Sequence, residues 1–288
     1  MSIFEIVISL PRILQRKRLL SPLLFIPIVI RTIHQINSKS LQRSVEVTLY
    51  LPENLLGNQT IHLLLVNDGQ DLTQMNVEGH LYNFYAKQKA TTIITVGIKA
   101  GEERLLEYGV ANRPDFKDRG SKANLHTAFV LQELLPFVAQ HTGLKINGKK
   151  AIAGFSLGGL TAFDIAWHHS HVFDLVGVFS GSFWWRKKDL ADGYSDDDRI
   201  LHAMIAQTVE KPNLKFWLMT GTEDEKADRN HNFIIDSIDD TIDVVKELLK
   251  KGYKRPEDIF YYEMVGGRHD VPTWDKAFPK FLEWAFAK

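Results

Sequence analysis

The sequence predicts an α/β fold: a mostly parallel central sheet, antiparallel strands at its N-terminal edge, and helices on both faces. Short apolar runs recur at Ile61 to Val66, Thr91 to Ile98, Phe173 to Phe179, Leu214 to Met219 and Ile259 to Val265, the pattern of strands buried on both faces. Stretches with apolar residues at helical spacing alternate with these runs. Strand–helix alternation over one continuous chain implies a parallel sheet with crossover helices. The 288 residues show no internal repeat and no low-complexity linker. They divide into an extension, residues 1–27, and one domain, residues 28–288.

The extension is the least regular part. Leu19 to Ile30 is apolar but interrupted by Pro22 and Pro27, and is too short for a spanning helix, which needs about 20 apolar residues. Arg12, Arg16, Lys17 and Arg18 precede it, in the charged-then-apolar order of an export signal. The basic cluster lies far from the N-terminus, and no small-residue cleavage site follows. Three readings stay open: a segment packed on the domain or a partner, weak contact with a membrane surface, and a cleaved signal. A cytoplasmic location is the working expectation, with export left open.

From Ile28 the chain reads as strands. Val29 to Ile36 and Ser44 to Leu51, joined by a short polar link, form an antiparallel edge pair, and Pro52 ends the second. Between the two runs that follow, Gly79 to Lys89 is a helix with Leu81, Phe84 and Tyr85 inward. Lys99 to Ala123 is a long irregular stretch, either a functional loop or a solvated surface one. Leu125 to His141 is read as one helix, with Leu125, Ala128, Leu131, Leu135 and Val138 on its inner face. Pro136 should kink it and Gly143 should stop it. Lys150 to Ala153 is a buried strand and Leu157 to His168 a helix. Trp185 to Leu214 is a polar, mostly helical excursion. Phe233 to Leu249 and Ala277 to Phe286 are further helices.

Composition narrows the chemistry. Lys plus Arg and Asp plus Glu are equal at 35 each, which argues against nucleic-acid binding. There is no cysteine, so disulfides, thiolate-bound zinc and a thiol nucleophile are excluded. No cofactor or metal is expected. His168, His169 and His171 lack a carboxylate at ligand spacing and are read as favouring the negative end of their helix.

The chemistry converges on Gly154-Phe155-Ser156-Leu157-Gly158-Gly159. A strand turns sharply into a helix with Ser156 on the turn, the pattern of a nucleophile elbow. Gly154 and Gly158 are expected where a side chain would collide with neighbouring backbone. The alternative is a glycine-rich turn that only packs. The strand ends carry further unusual residues: Asp68-Gly69-Gln70, Asp224 and His269. In an open parallel sheet, ligands sit outside these carboxyl ends. The order nucleophile, acid, base is that of the α/β-hydrolases. Serine needs a base to take its proton as it attacks, and histidine suits that task near neutral pH. Asp224 would orient the imidazole. Backbone N–H groups of Leu157 and of the Gly69-Gln70 turn would hold the oxyanion. Glu223, Glu225 and Asp228 are rivals for the acid, and His231, read at a helix start, is a rival base. Ser180 and Ser182 follow a strand without an elbow.

These residues resemble the putative-esterase family of α/β-hydrolases, which includes enterochelin esterases, feruloyl and acetylxylan esterases, S-formylglutathione hydrolase and the mycolyltransferases. The resemblance runs from about Ile33 to the C-terminus. It rests on Tyr50-Leu51-Pro52, Asn67 to Asp71, Glu133 to Pro136, Gly154 to Gly159, Gly221 to Asp224 and Gly266 to His269. Ser180-Gly181-Ser182-Phe183-Trp184-Trp185 looks most like the enterochelin-esterase branch, where such a stretch borders the substrate cleft. The resemblance implies Asp224 as the acid and the amides of Gln70 and Leu157 as oxyanion donors. It also implies Trp184 and Trp185 as substrate contacts, though both are equally readable as core aromatics; Arg119, from the long irregular stretch, is a further expected contact. The chain has no room for the separate N-terminal sandwich domain of the cytoplasmic enterochelin esterases. The expected function is hydrolysis of a small-molecule carboxylic ester, on aryl or siderophore-type substrates. The competing readings are acyl transfer to an alcohol and a catalytically silent binding module.

Overall fold

The computed structural model describes residues 28–53, 59–88 and 90–287. The extension over residues 1–27, with its signal and membrane-surface readings, lies outside the described residues, as does Lys89. No helix among the described residues is long and apolar enough to cross a membrane.

In chain order the elements are β1 (Val29–Ser38), β2 (Arg43–Pro52), β3 (Thr60–Asn67), α1 (Val77–Lys87), β4 (Thr91–Ile98), α2 (Arg104–Glu107), α3 (Ala123–Ala128), α4 (Leu135–Thr142), β5 (Lys150–Phe155) and α5 (Leu157–His168). Then follow β6 (Leu175–Phe179), α6 (Ile200–Gln207), β7 (Lys215–Glu223), α7 (Asp236–Lys250), β8 (Ile259–Arg268) and α8 (Val271–Phe286). The eight strands form one sheet in the order β1, β2, β4, β3, β5, β6, β7, β8. The β1–β2 and β2–β4 pairings are antiparallel and the others parallel, so the expected antiparallel pair does sit at the edge.

The central strands β3 to β7 are buried along nearly their whole length because successive side chains serve opposite faces, both of them covered. Leu63 and Leu65 of β3 join the core under α3 to α7, while Leu64 and Val66 join the core under α1 and α8. Each fully buried Leu or Val contributes about 1.5–3 kcal/mol relative to exposure.

Four sequence expectations need correction. Leu125 to His141 is not one α-helix: a π-helical stretch, Phe129–Leu134, separates α3 from α4. Its wider turn shifts the inward face, so His126, Phe129, Val130 and Leu134 are buried and Leu125 is exposed. Pro136 falls in the first turn of α4, directly after the π-helical stretch. Gly143 does end the helix, at φ 61°. The excursion after Trp185 holds only α6 and two single 3-10 turns, because loop-to-loop ion pairs rather than helical periodicity order it. Helix α7 begins at Asp236, leaving His231 and Phe233 exposed in the preceding loop, so His231 is not at a helix start. Helix α8 begins six residues before Ala277, at Val271, because the Asp270 carboxylate accepts from Thr273 N at 2.9 Å and caps it.

Candidate active site

Strands β3, β5, β6, β7 and β8 are consecutive in the sheet, and their carboxyl ends carry Asp68, Ser156, Ser180, Asp224 and His269. Ser156 lies between β5 and α5 at φ 54°, ψ −121°, a region that costs a non-glycine residue about 1–3 kcal/mol. Its neighbours make the turn possible. A Cβ on Gly154 would stand 2.3 Å from the Gly158 carbonyl oxygen, and one on Gly158 would stand 2.4 Å from Asp68 Oδ2. The helix therefore approaches the sheet more closely than any side chain allows, and the Ser156 side chain is left partly exposed. Its Oγ lies 3.3 Å from Ser182 Oγ.

Asp224 and His269 leave adjacent strands. Glu223 pairs in register with Arg268, across a bulge, and a Cβ on Gly221 would meet the Gly267 backbone at 2.4 Å. This close approach brings the acid and the base loops together. Of the four carboxylates weighed for the acid, Asp224 alone is buried. Glu223 instead pairs with Arg268 at 3.1 Å, and Asp228 accepts the backbone N–H groups of Asn232 and Phe233. Asp224 Oδ1 accepts from Ser180 Oγ at 3.1 Å, while Oδ2 is buried without a hydrogen bond. Burial pushes the Asp224 carboxyl above the usual range, against the opposing pull of a backbone bond at Gly221, Ser180 and His269. His269 is exposed. Its pKa is lowered, chiefly by partial withdrawal from water; Asp224 opposes the shift, Arg104 adds to it, and Asp270 opposes it. Acid and base thus sense each other, but among the described residues no hydrogen bond joins His269 to Asp224 or to Ser156.

On the other side of Ser156, Asp68 is left-handed at φ 60° and starts the Gly69–Asp71 turn. Arg104 clamps its carboxylate through two bonds of 2.6 and 2.8 Å, and Asp68 N donates to the Tyr108 hydroxyl. The Gln70 side chain bonds Asp68 and Ala100. Asn67 donates to the Gly158 carbonyl at 3.0 Å, tying β3 to the first turn of α5. The Leu157 N–H stands at that helix N-terminus, where an anion is favoured. The irregular stretch after β4 is tied to α5 along its buried part: Gly109 N donates to Thr161 Oγ1 at 2.8 Å and Ala111 N to Asp164 Oδ2 at 3.0 Å, while residues such as Glu102, Asn112 and Lys117 stay exposed.

The three expected substrate contacts divide. Trp185 is fully buried. Its Nε1 donates to the Arg113 carbonyl at 3.1 Å, and its ring fills the space beside Gly109 and Gly120, where a Cβ would come within 2.6 and 2.8 Å of it. It is a core residue, and its assignment as a substrate contact is withdrawn. Trp184 is partly exposed. The Arg119 guanidinium lies over its ring at 4.7 Å and is paired through Nε with Asp115 at 2.7 Å.

The roles of Arg104 and Ser180 are not readable from the sequence alone, because each acts through a partner distant along the chain. The Ser180-Gly181-Ser182 turn gave the one available signal, two hydroxyls at a strand's carboxyl end. Among the described residues no group of three or more His, Cys, Asp or Glu side chains is placed to hold a metal ion. His168 instead pairs with Asp164 at 3.1 Å, which raises its pKa.

Similarity to other proteins is low in identity and broad in extent. The protein YbbA of Bacillus subtilis is 23% identical over 249 residues, covering 84% of this chain and 92% of that one. The enterobactin esterase of Shigella flexneri superposes with a TM-score of 0.66 at 22% identity over 89% of this chain. This chain spans only 59% of that enzyme's length. A ferulic acid esterase superposes with a TM-score of 0.66 at 18% identity, covering 90% of this chain and 98% of that one. These likenesses show the α/β-hydrolase fold. Residues 38–285 match the putative-esterase family, nearly all of the sheet and every strand end described above; the chain belongs to that family.

Proposed function

We propose that the protein cleaves carboxylic esters through a serine acyl-enzyme, with Ser156 as nucleophile, His269 as general base and Asp224 as the carboxylate that orients it. One observation carries the reading. A strained, partly exposed serine on the β5–α5 turn shares a sheet edge with a buried carboxylate and an exposed imidazole that leave neighbouring strands. Ser156 Oγ forms a bond to the ester carbonyl carbon as its proton passes to His269. The oxyanion that develops is held by the N–H groups of Leu157 and Gln70. Collapse breaks the ester C–O bond, and the departing alcohol takes the proton from His269. Water then attacks the acyl carbon as the same imidazole takes its proton; the Ser156 Oγ–carbon bond breaks, Oγ takes that proton back from His269, and the acid leaves.

Aryl esters, including siderophore-type ones, suit the rim. Trp184 offers a partly exposed ring beside Ser182, and the adjacent Arg119 guanidinium stacks on it. Structural neighbours include proteins named as an enterobactin esterase and a ferulic acid esterase. The test is Ser156→Ala, assayed on p-nitrophenyl esters and probed with a fluorophosphonate. Turnover should fall by about 10⁴-fold or more, labelling should disappear, and the thermal melt should stay within a degree or two. Equal activity in the variant would overturn the nucleophile. Absent labelling of the wild type would favour a silent module, and product shifting to a new ester when alcohol is added would favour acyl transfer.

A further inference from the structure

Trp274 belongs to none of the motifs above, yet its indole meets supports of all three residues. It lies in the first turn of α8 and is buried. The ring stacks on Phe155, the residue before Ser156, with centroids 5.0 Å apart and planes at 21°. His269 meets it edge-on at 5.4 Å. Its Nε1 donates to Ser180 Oγ at 3.0 Å, and Ser180 Oγ donates to Asp224 Oδ1 at 3.1 Å. An indole N–H can only donate. The Ser180 hydroxyl therefore accepts from it and turns its own hydrogen to the carboxylate, and each bond in such a chain strengthens the next. Ser180 is itself held at φ 49°, a conformation that persists only where its surroundings over-determine it.

We propose that Trp274 and Ser180 form a positioning relay that fixes Asp224 and sets the proton affinity of the Asp224–His269 pair. This rests on the reading of Ser156, Asp224 and His269 given above. A donor to a carboxylate favours its charged form. Without it, the pair holds its proton to higher pH. The other charged groups that bear on the pair are Arg104, Asp270 and Glu225; the variants below leave all three in place.

The test is the pH profile of kcat/KM for wild type, Ser180→Ala, Trp274→Phe and the double variant. In Ser180→Ala the acid limb should move up by about half a pH unit or more, because one charge-assisted bond is lost. At the pH optimum kcat should fall about tenfold with KM little changed. Trp274→Phe keeps the stack on Phe155 and the edge contact with His269 but removes the N–H. Its limb should move the same way by less. The double variant should match Ser180→Ala, since Trp274 acts through Ser180. An acid limb at the wild-type pH in Ser180→Ala, or additive shifts in the double, overturns the relay. Should Trp274→Phe fail to fold, the Ser180→Ala profile decides alone. Ser156→Ala, measured alongside, separates the failures: if it is inactive while the limb stays fixed, only the relay falls, and if it is active the triad falls with it.

Discussion

Two clusters of charge sit above the sheet, and they are built differently. Near α6 and α7, Asp240 is buried between two arginines. Arg199 reaches it at 2.6 Å and also bonds Asp243 at 2.7 Å; Arg229 clamps both its oxygens and donates through Nε to Tyr194. Every strong acceptor is used. At the ends of β7 and β8 the opposite holds. Asp224 keeps one carboxylate oxygen, Oδ2, buried without a hydrogen bond among the described residues, and His269 meets Trp274 through an aromatic edge. Saturated ions brace loops, here the long connections after β6 and β7. A buried carboxylate left half-satisfied carries a desolvation cost that a structural role does not require. The contrast separates scaffold from chemistry without reference to sequence motifs.

Neutralising each carboxylate tests the contrast directly. Asp224→Asn should lower kcat by about 10³–10⁴-fold, since the imidazole loses the partner that fixes its tautomer. Stability should hold or rise slightly, because burial already disfavours the charged form there. A lower melt with unchanged kcat would move Asp224 to the scaffold. Asp240→Ala should do the reverse. Two buried guanidinium groups lose their shared partner, and unfolding in urea should show a loss of about 3–5 kcal/mol, while the kcat/KM of the folded fraction stays near wild type. A tenfold fall in that value with no loss of stability would dissolve the distinction.

Much of this was legible in the chain. Alternation within Leu63 to Val66 served two cores at once, and so read as a continuous apolar run. Gly154 and Gly158 announced close approach because only glycine survives it, and the structure gives the collisions. What stayed hidden depended on partners far apart along the chain. Trp184 and Trp185 are chemically identical neighbours, and only the packing of Trp185 against Gly109 and Gly120 separates a core ring from a rim ring. The π-helical stretch after Ala128 was invisible because one wider turn changes the phase of a helix without changing its composition. The ends of β7 and β8 ran past the apolar stretches, since polar residues hold them: Glu223 pairs with Arg268 across the bulge, and Thr222 Oγ1 accepts from Gly266 N at 2.8 Å.

His126 sharpens the comparison from a third direction. Like Asp224 it is buried near the elbow with one polar atom, Nδ1, unpartnered. Asn67 spends its amide N–H on Gly158, so its oxygen accepts from His126 Nε2 at 3.1 Å. Burial, with Arg43 adding to it, lowers the His126 pKa to about 3, so the ring stays neutral wherever the enzyme works. An unfolded chain would protonate it below about pH 6.5, and the folded protein would not. The unfolded state then binds more protons, and stability falls as pH drops from about 6.5 toward 3, by about 2 kcal/mol at pH 5. His126→Gln should flatten the decline of the melting temperature between pH 7 and 5. The acid limb of kcat/KM should not move, because the proposed mechanism assigns that limb to His269. A limb that shifts with His126 while the thermal profile keeps its slope would make this histidine part of the chemistry, and an unsatisfied buried atom would then mark function even when it lies behind the site.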